Sequence, residues 1–222
     1  MPPKDCWDAF TVWSYSSFSE YLTIEEKQEF FLTTWIPGDA GFWSLFAWRA
    51  VCFVWLWYFL VDFFANDEGG FKYLTNWGFC ITALTYMLFM IHYAVKFVRE
   101  AKATFKATEN GETVEVKETA GTKLLWQFLS FTFGTSLTVN IMITLIYWMF
   151  LAVPPVEFVS TVFHTTPLIA TLVDFVLNMI VIELNLSVWI VTIALFYFLV
   201  NYLYTELDGT PVYTLFTWHT WT

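Results

Sequence analysis

Two polar side chains in otherwise apolar segments, Thr75 and His164, are of the types that acyl-transfer chemistry uses. A threonine hydroxyl is a poor nucleophile until a nearby base removes its proton, and neutral histidine is the usual base. Taken singly, each residue has a more ordinary explanation: a core histidine bonded to a neighbouring helix, and an interfacial threonine bonded to the backbone. Nucleophilic chemistry therefore requires a fold that brings the two side chains together.

Few other polar side chains fall inside the apolar segments, and each is notable because a polar group in a bilayer is costly. We expect Arg49 to snorkel to the interface from the start of the first segment. Asp174 is expected to pair with another helix or to face a cavity. About 15 Å of helix separates Asp174 from His164, which is too far for the carboxylate to orient the imidazole. The remaining polar residues are His92, Gln127, Asn140 and Asn178.

Other site chemistries lack the residues that they need. No cluster of His, Cys, Asp and Glu has the spacing of metal ligands, so we expect no metal and no cofactor. Gly69-Gly70 is not followed by the Lys and Ser or Thr of a phosphate-binding loop. The three cysteines indicate no disulfide framework, because Cys52 and Cys80 lie in apolar segments and Cys6 is alone.

Five long apolar segments must position these side chains. The stretch from Leu124 to Val153 contains no Asp, Glu, Lys or Arg, and a bilayer core of roughly 30 Å needs about 20 apolar residues of helix. The chain is 58% hydrophobic and 14% charged, whereas soluble domains carry roughly 25% charged residues. The sequence therefore predicts an all-α, polytopic transmembrane helix bundle over residues 43–204. Spans are expected at about 43–64, 74–95, 124–153, 158–182 and 186–204.

The distribution of basic residues predicts the orientation. Six of the ten Lys and Arg residues lie between the second and third spans. The positive-inside rule places this 96–123 loop in the cytosol, with residues 1–42 on the same side and the 205–222 tail on the luminal side. Thr75 and His164 then lie in one leaflet, the luminal one. The expected location is an endomembrane or the plasma membrane.

Local patterns predict three further elements outside the spans. Basic residues that recur every three or four positions favour a helix from Lys96 to Thr108. A short strand is predicted at Thr113–Val116, after the turn signal of Asn110-Gly111. An amphipathic helix near Ile24–Thr33 is expected to lie on the membrane surface.

Several short motifs occur in the order and approximate spacing of a known family. They are Lys72-Tyr73-Leu74-Thr75 before span two, His164-Thr165-Thr166 in span four, and Pro211-Val212-Tyr213 after span five. Together they resemble the androgen-induced-protein family. The string Tyr73-Leu74-Thr75-Asn76-Trp77-Gly78, the pair Tyr147-Trp148, and Val212-Tyr213 followed by Trp218 resemble its relatives, the rolling stone-like membrane proteins. The resemblance covers roughly residues 43 to 218.

This resemblance implies both a fold and an activity. Members of the androgen-induced-protein family are multi-pass threonine hydrolases that cleave fatty acid esters of hydroxy fatty acids. Their nucleophile falls here on Thr75, and their second essential residue falls on His164. The family pattern has six spans, and Thr222 falls where the sixth would begin. Rolling stone-like proteins share the fold and are associated with cell fusion.

Two functions are compatible with the sequence. The first is a lipid-ester hydrolase with Thr75 as nucleophile and His164 as base, and with Asn76 and Trp77 as neighbouring candidates for oxyanion donors. The alternative is a non-enzymatic fusion or adhesion factor, or an accessory subunit of a larger membrane complex. A channel or transporter is disfavoured because the spans lack charge rings and broken helices.

Expected partners follow from these two functions. They are the lipid bilayer, a lipid ester substrate, and other membrane proteins. Nucleic acid is not expected as a partner, because the formal net charge of the chain is −10 and a phosphate backbone repels an acidic surface.

Overall fold

The computed structural model describes residues 38–66, 70–110, 120–152, 155–178 and 186–213. The regular elements in these ranges are helices: α1 (Gly38–Asn66), a 3-10 turn (Gly70–Lys72), α2 (Leu74–Asn110), α3 (Ala120–Ile146), α4 (Phe158–Leu177) and α5 (Leu186–Asp208). The end of α3 continues into a π-helical turn at Tyr147–Leu151. The prediction of an all-α fold is therefore confirmed.

Each long helix contains a stretch that is long and apolar enough to cross a membrane. In the described ranges these stretches number five: Ala40–Asn66, Leu74–Phe105, Leu124–Leu151, Phe158–Leu177 and Ile190–Asp208. Helices suit hydrocarbon because they satisfy their backbone hydrogen bonds internally. The prediction of a multi-pass membrane protein with five visible spans is confirmed.

One of the three elements predicted outside the spans lies within the described residues. Helix α2 extends to Asn110, so the helix predicted from Lys96 to Thr108 is confirmed. The interfacial helix expected near Ile24–Thr33 and the strand expected at Thr113–Val116 lie outside the described residues.

Helices α2 and α3 form the centre of the bundle. In the most apolar stretch of each of these two helices, 56% of the residues are buried, compared with 17% in α5. Helix α1 packs on α2, and α4 contacts α1, α2 and α3, whereas α5 rests on α3 and on the 3-10 turn. The centre is filled by large side chains that are almost completely buried, among them Tyr86, Phe79, Phe89, Phe133 and Leu129. Helix α5 is therefore the most peripheral of the five.

Gly78 allows α2 and α3 to approach each other closely. A Cβ atom at this position would lie 2.5 Å from Ile143 Cδ1 and 2.9 Å from Asn140 Oδ1. Beside this contact, Asn140 Nδ2 donates to Thr82 Oγ1 at 2.7 Å, and the Thr82 and Ser136 hydroxyls are also 2.7 Å apart. Small residues and interhelical hydrogen bonds are the usual means of helix association in a bilayer. The contact holds the start of α2 against the end of α3, where the candidate site lies.

An ion pair joins α1 to α4 inside the bundle. Arg49 Nε and Nη2 donate to Asp174 Oδ2 and Oδ1, each at 2.8 Å, and both side chains are completely buried. The guanidinium also lies 3.7 Å from the centre of the Phe89 ring and donates to the Tyr93 hydroxyl at 3.2 Å. The expectation that Arg49 snorkels is therefore wrong, because the interior compensates its charge. The expectation that Asp174 pairs with another helix is confirmed.

Candidate active site

Thr75 is the second residue of α2 and is held there by the preceding turn. The Asn76 backbone N–H donates to the Tyr73 carbonyl at 3.1 Å, and the Asn76 side-chain amide donates to the carbonyl of Gly70. Asn76 therefore ties the start of α2 to the 3-10 turn and leaves Thr75 buried.

The two neighbouring candidates for oxyanion donors, Asn76 and Trp77, have other partners. The Asn76 amide is committed to Gly70. Trp77 packs its ring against Phe196 and Tyr197 of α5, with ring centres 5.7 Å apart in both contacts. Neither residue lines the cavity beside Thr75. Neither side chain is therefore placed as an oxyanion donor at Thr75.

His164 lies in the second turn of α4, and two residues near the end of α3 fix its position. The Thr144 hydroxyl donates to the carbonyl oxygen of His164 at 2.6 Å. The Tyr147 ring stacks on the imidazole, with ring centres 3.6 Å apart and planes inclined by 5°. The Tyr147 hydroxyl is in turn 2.7 Å from Ser160 Oγ. Both the backbone and the ring plane of His164 are thereby restrained.

The fold brings the threonine and the histidine together. Thr75 Oγ1 lies 3.1 Å from His164 Nδ1, although the two residues are 89 positions apart in the sequence. In the neutral tautomer that carries its proton on Nε2, the imidazole accepts a hydrogen bond at Nδ1 and the threonine hydroxyl is the donor. This separation is within the range over which a general base removes a proton.

A cavity of about 110 Å³ lies beside this pair. Its walls are mainly apolar and come from the end of α3 and from α5: Met142, Ile143, Ile146, Ala194, Tyr197 and Phe198. Thr75 and His164 line it as well. Thr75 therefore borders a space suited to hydrocarbon rather than to a charged or sugar-like ligand.

Tyr213, which follows α5, also lines the cavity, and our sequence reasoning assigned it no role. Its hydroxyl oxygen accepts a hydrogen bond from the Leu74 N–H at 3.1 Å and interacts with the Thr75 and Tyr197 side chains. Burial raises the pKa of the Tyr213 hydroxyl, so it keeps its proton at neutral pH and can donate it. The only signal in the sequence was the Pro211-Val212-Tyr213 motif, which indicates a family and not a role.

The other polar residues of the spans lie away from the cavity. Asn140 belongs to the contact between α2 and α3, and Asn178 Nδ2 donates to Asp174 Oδ1 at 2.6 Å. His92 is buried with its ring 4.9 Å from that of Trp126, in an edge-to-face arrangement. Asn140 and His92 thus contact a neighbouring helix, whereas Asn178 bonds within its own.

The fold and the site define a class: a multi-pass helical membrane protein with a threonine–histidine pair beside an apolar cavity within the bundle. The family described as Rost, Protein rolling stone, matches residues 24–220. The chain belongs to the rolling stone family.

One curated relative is Protein rolling stone of Drosophila melanogaster. It is 25% identical to this chain over 169 residues, which are 69% of this chain and 58% of the relative. The chain thus spans less than two thirds of the length of that relative. No solved structure matches.

Proposed function

We propose that this protein is a lipid-ester hydrolase that works within the membrane, with Thr75 as nucleophile and His164 as general base. The observation that carries the proposal is the 3.1 Å separation of Thr75 Oγ1 and His164 Nδ1 at the edge of an apolar cavity. The proposed substrates are fatty acid esters of hydroxy fatty acids, which follow from the resemblance to the androgen-induced-protein family. A site inside the bundle lets acyl chains react without leaving the membrane.

The reaction has two stages. In the first, Thr75 Oγ1 attacks the ester carbonyl carbon while His164 Nδ1 accepts the hydroxyl proton. The tetrahedral intermediate then breaks its bond to the leaving oxygen. This oxygen accepts the proton from His164 and departs as the hydroxyl of the hydroxy fatty acid. In the second stage, His164 removes a proton from water, which attacks the acyl-threonine. Collapse of that intermediate releases the fatty acid and returns the proton to Thr75.

Tyr213 supplies the donor that this reaction needs for the developing negative charge. Tyr213 lines the same cavity, and its hydroxyl interacts with the Thr75 side chain, which supports this role. The hydrogen bond from the Leu74 N–H holds the phenol oxygen in place. A fixed donor aimed at an oxyanion stabilises the transition state more than the ground state.

The alternative is a non-enzymatic fusion or adhesion factor, or an accessory subunit of a larger membrane assembly. Its support is the family membership and the open face of α5, which exposes large apolar side chains, among them Leu195, Phe196, Leu199 and Leu203. Lipid contact explains these side chains equally well. The paired Thr75 and His164 have no purpose in this alternative beyond joining two helices.

The decisive experiment measures hydrolysis by the purified full chain in detergent or in liposomes. Thr75→Ala and His164→Ala should each abolish turnover, and the double variant should lose no more, because the residues act as a unit. Thr75→Ser retains a hydroxyl and should retain some turnover. Thr138→Ala is the matched control, because the Thr138 hydroxyl also donates one hydrogen bond, to the carbonyl of Gly134 in its own helix.

Both threonine variants should lose about 1 kcal/mol of stability, as expected for one ordinary hydrogen bond, and only Thr75→Ala should lose activity. A fluorophosphonate probe should label the wild type at Thr75. Full activity in Thr75→Ala would exclude this residue as the nucleophile. Wild-type protein that is folded but neither hydrolyses these lipids nor reacts with the probe would favour the non-enzymatic alternative.

A further inference from the structure

We infer that the cavity is a binding site for a single acyl chain, which enters laterally from the bilayer between α3 and α5. Phe198 stands at the mouth of this site, and Ala194 sets its width. The inference deepens the proposed function and rests on it for the chemistry at Thr75. Binding of the chain is a separate property that can be measured without turnover.

The distribution of polar atoms indicates what kind of ligand fits. Three polar side chains that line the cavity, Thr75, His164 and Tyr213, lie next to one another. The Tyr197 hydroxyl also borders the cavity but donates to the carbonyl of Lys72 at 2.9 Å, so it is directed to the 3-10 turn. The remaining walls are hydrocarbon. A ligand with one reactive polar group on an alkyl chain matches this arrangement.

The mouth is identified by exposure. Most of the cavity-lining side chains are buried or half-buried, whereas Phe198 is 40% exposed. Phe198 lies within the span Ile190–Asp208, so its exposed side faces lipid and not water. On the α3 side, Leu145 is 54% exposed, next to the lining residue Ile146. The cavity is therefore bordered by side chains that touch the acyl phase, and a chain can enter without crossing the headgroup layer.

Ala194 limits the space behind the mouth. It lies one helical turn before Phe198 and thus on the same face of α5. It has the smallest side chain of the residues that line the cavity. From α3, the cavity is lined by Met142, Ile143 and Ile146. A larger residue at position 194 would take up space inside the cavity that an acyl chain needs.

The test uses a fatty acid that carries a photoreactive diazirine near its middle, with the Thr75→Ala protein in lipid nanodiscs so that no turnover occurs. After irradiation, mass spectrometry should place the label on Met142, Ile146, Ala194 or Phe198. Unlabelled long-chain fatty acid in excess should compete for this labelling. Labelling of residues that merely face the bilayer, such as Leu195 (64% exposed), should not saturate.

Two substitutions separate a site from general lipid contact. Ala194→Phe should reduce the competable labelling at least tenfold, while Leu195→Phe, one residue further along the same helix, should leave it unchanged. If Ala194→Phe fails to fold, the milder Ala194→Val should give a smaller reduction, and the labelling map obtained with Ala194 unchanged already tests the inference. Label spread evenly around α5 and insensitive to competitor would overturn the proposal, as would full competable labelling in a folded Ala194→Phe protein.

The outcomes distinguish this inference from the proposed function. Competable labelling at the cavity in a wild-type protein that hydrolyses no ester would support the acyl-chain site and contradict the hydrolase activity. Hydrolysis that depends on Thr75, without competable labelling at the cavity, would support the hydrolase activity and contradict the acyl-chain site.

Discussion

Removal of the Asp174 carboxylate should destabilise the bundle more than the loss of any single neutral hydrogen bond. The carboxylate accepts two hydrogen bonds from Arg49 at 2.8 Å and one from Asn178 at 2.6 Å. In Asp174→Ala the guanidinium stays buried and loses its carboxylate, while the Tyr93 hydroxyl and the Phe89 ring remain beside it. Breaking a buried ion pair in this way costs about 3–5 kcal/mol, compared with about 1 kcal/mol for a neutral hydrogen bond.

Substitution of Arg49 and substitution of Asp174 should not reduce the stability by the same amount. In Arg49→Met the Asp174 carboxyl keeps the hydrogen bond from Asn178. A buried carboxyl can in general be neutralised by a proton, whereas a guanidinium in a protein cannot lose its charge. Arg49→Met should therefore cost less than Asp174→Ala. The double variant Arg49→Met/Asp174→Leu removes both charges and fills the space with apolar atoms, so it should be more stable than Asp174→Ala alone.

The assay is reversible unfolding by SDS in mixed micelles, followed by tryptophan fluorescence. Asp62→Ala is the matched control, because this exposed aspartate near the end of α1 bonds only locally, to Asn66 at 3.0 Å, and should change stability by less than about 0.5 kcal/mol. The reasoning would be refuted if Asp174→Ala stayed within about 1 kcal/mol of the wild type. It would also be refuted if the double variant were the least stable of the set.

Three further predictions test the packing, the chemistry and the orientation. Gly78→Ala should lower the free energy of unfolding by about 1–3 kcal/mol in the same assay, because the added methyl meets Ile143. Its control is Gly121→Ala, whose new methyl meets no atom within 4 Å and which should be neutral or slightly stabilising. Equal effects of the two substitutions would contradict the close contact of α2 with α3. Tyr213→Phe should lower kcat about 100-fold or more with little change in KM, as found when an oxyanion donor is removed, and a change confined to KM or to thermal stability would leave Tyr213 a structural role. A single cysteine at Thr108 should react with a membrane-impermeant maleimide only after the cytosolic side is exposed, and labelling of intact cells from outside would reverse the predicted topology.

The class of protein and the positions of the helices in the chain follow from the sequence alone. The thickness of a bilayer sets the length of an apolar helix, and hydrocarbon excludes unpaired backbone groups, so a stretch such as Leu124 to Val153 can be interpreted without knowledge of its neighbours. The same reasoning identified Thr75 and His164 as polar residues that need a partner. The placement of both in one leaflet came from counting spans, and the sidedness of the membrane stays a prediction.

Which of these residues contact one another depends on how the helices pack. Whether Arg49 reaches the interface or Asp174 depends on the rotation of α1 about its axis and on its distance from α4, and no local pattern specifies either. The stacking of Tyr147 on His164 and the return of Tyr213 to the start of α2 are likewise contacts between distant segments. They are set by the packing of several helices at once, beginning with the close approach at Gly78. Helix positions follow from the interaction of each segment with the bilayer, whereas a site follows from the interactions of the segments with one another.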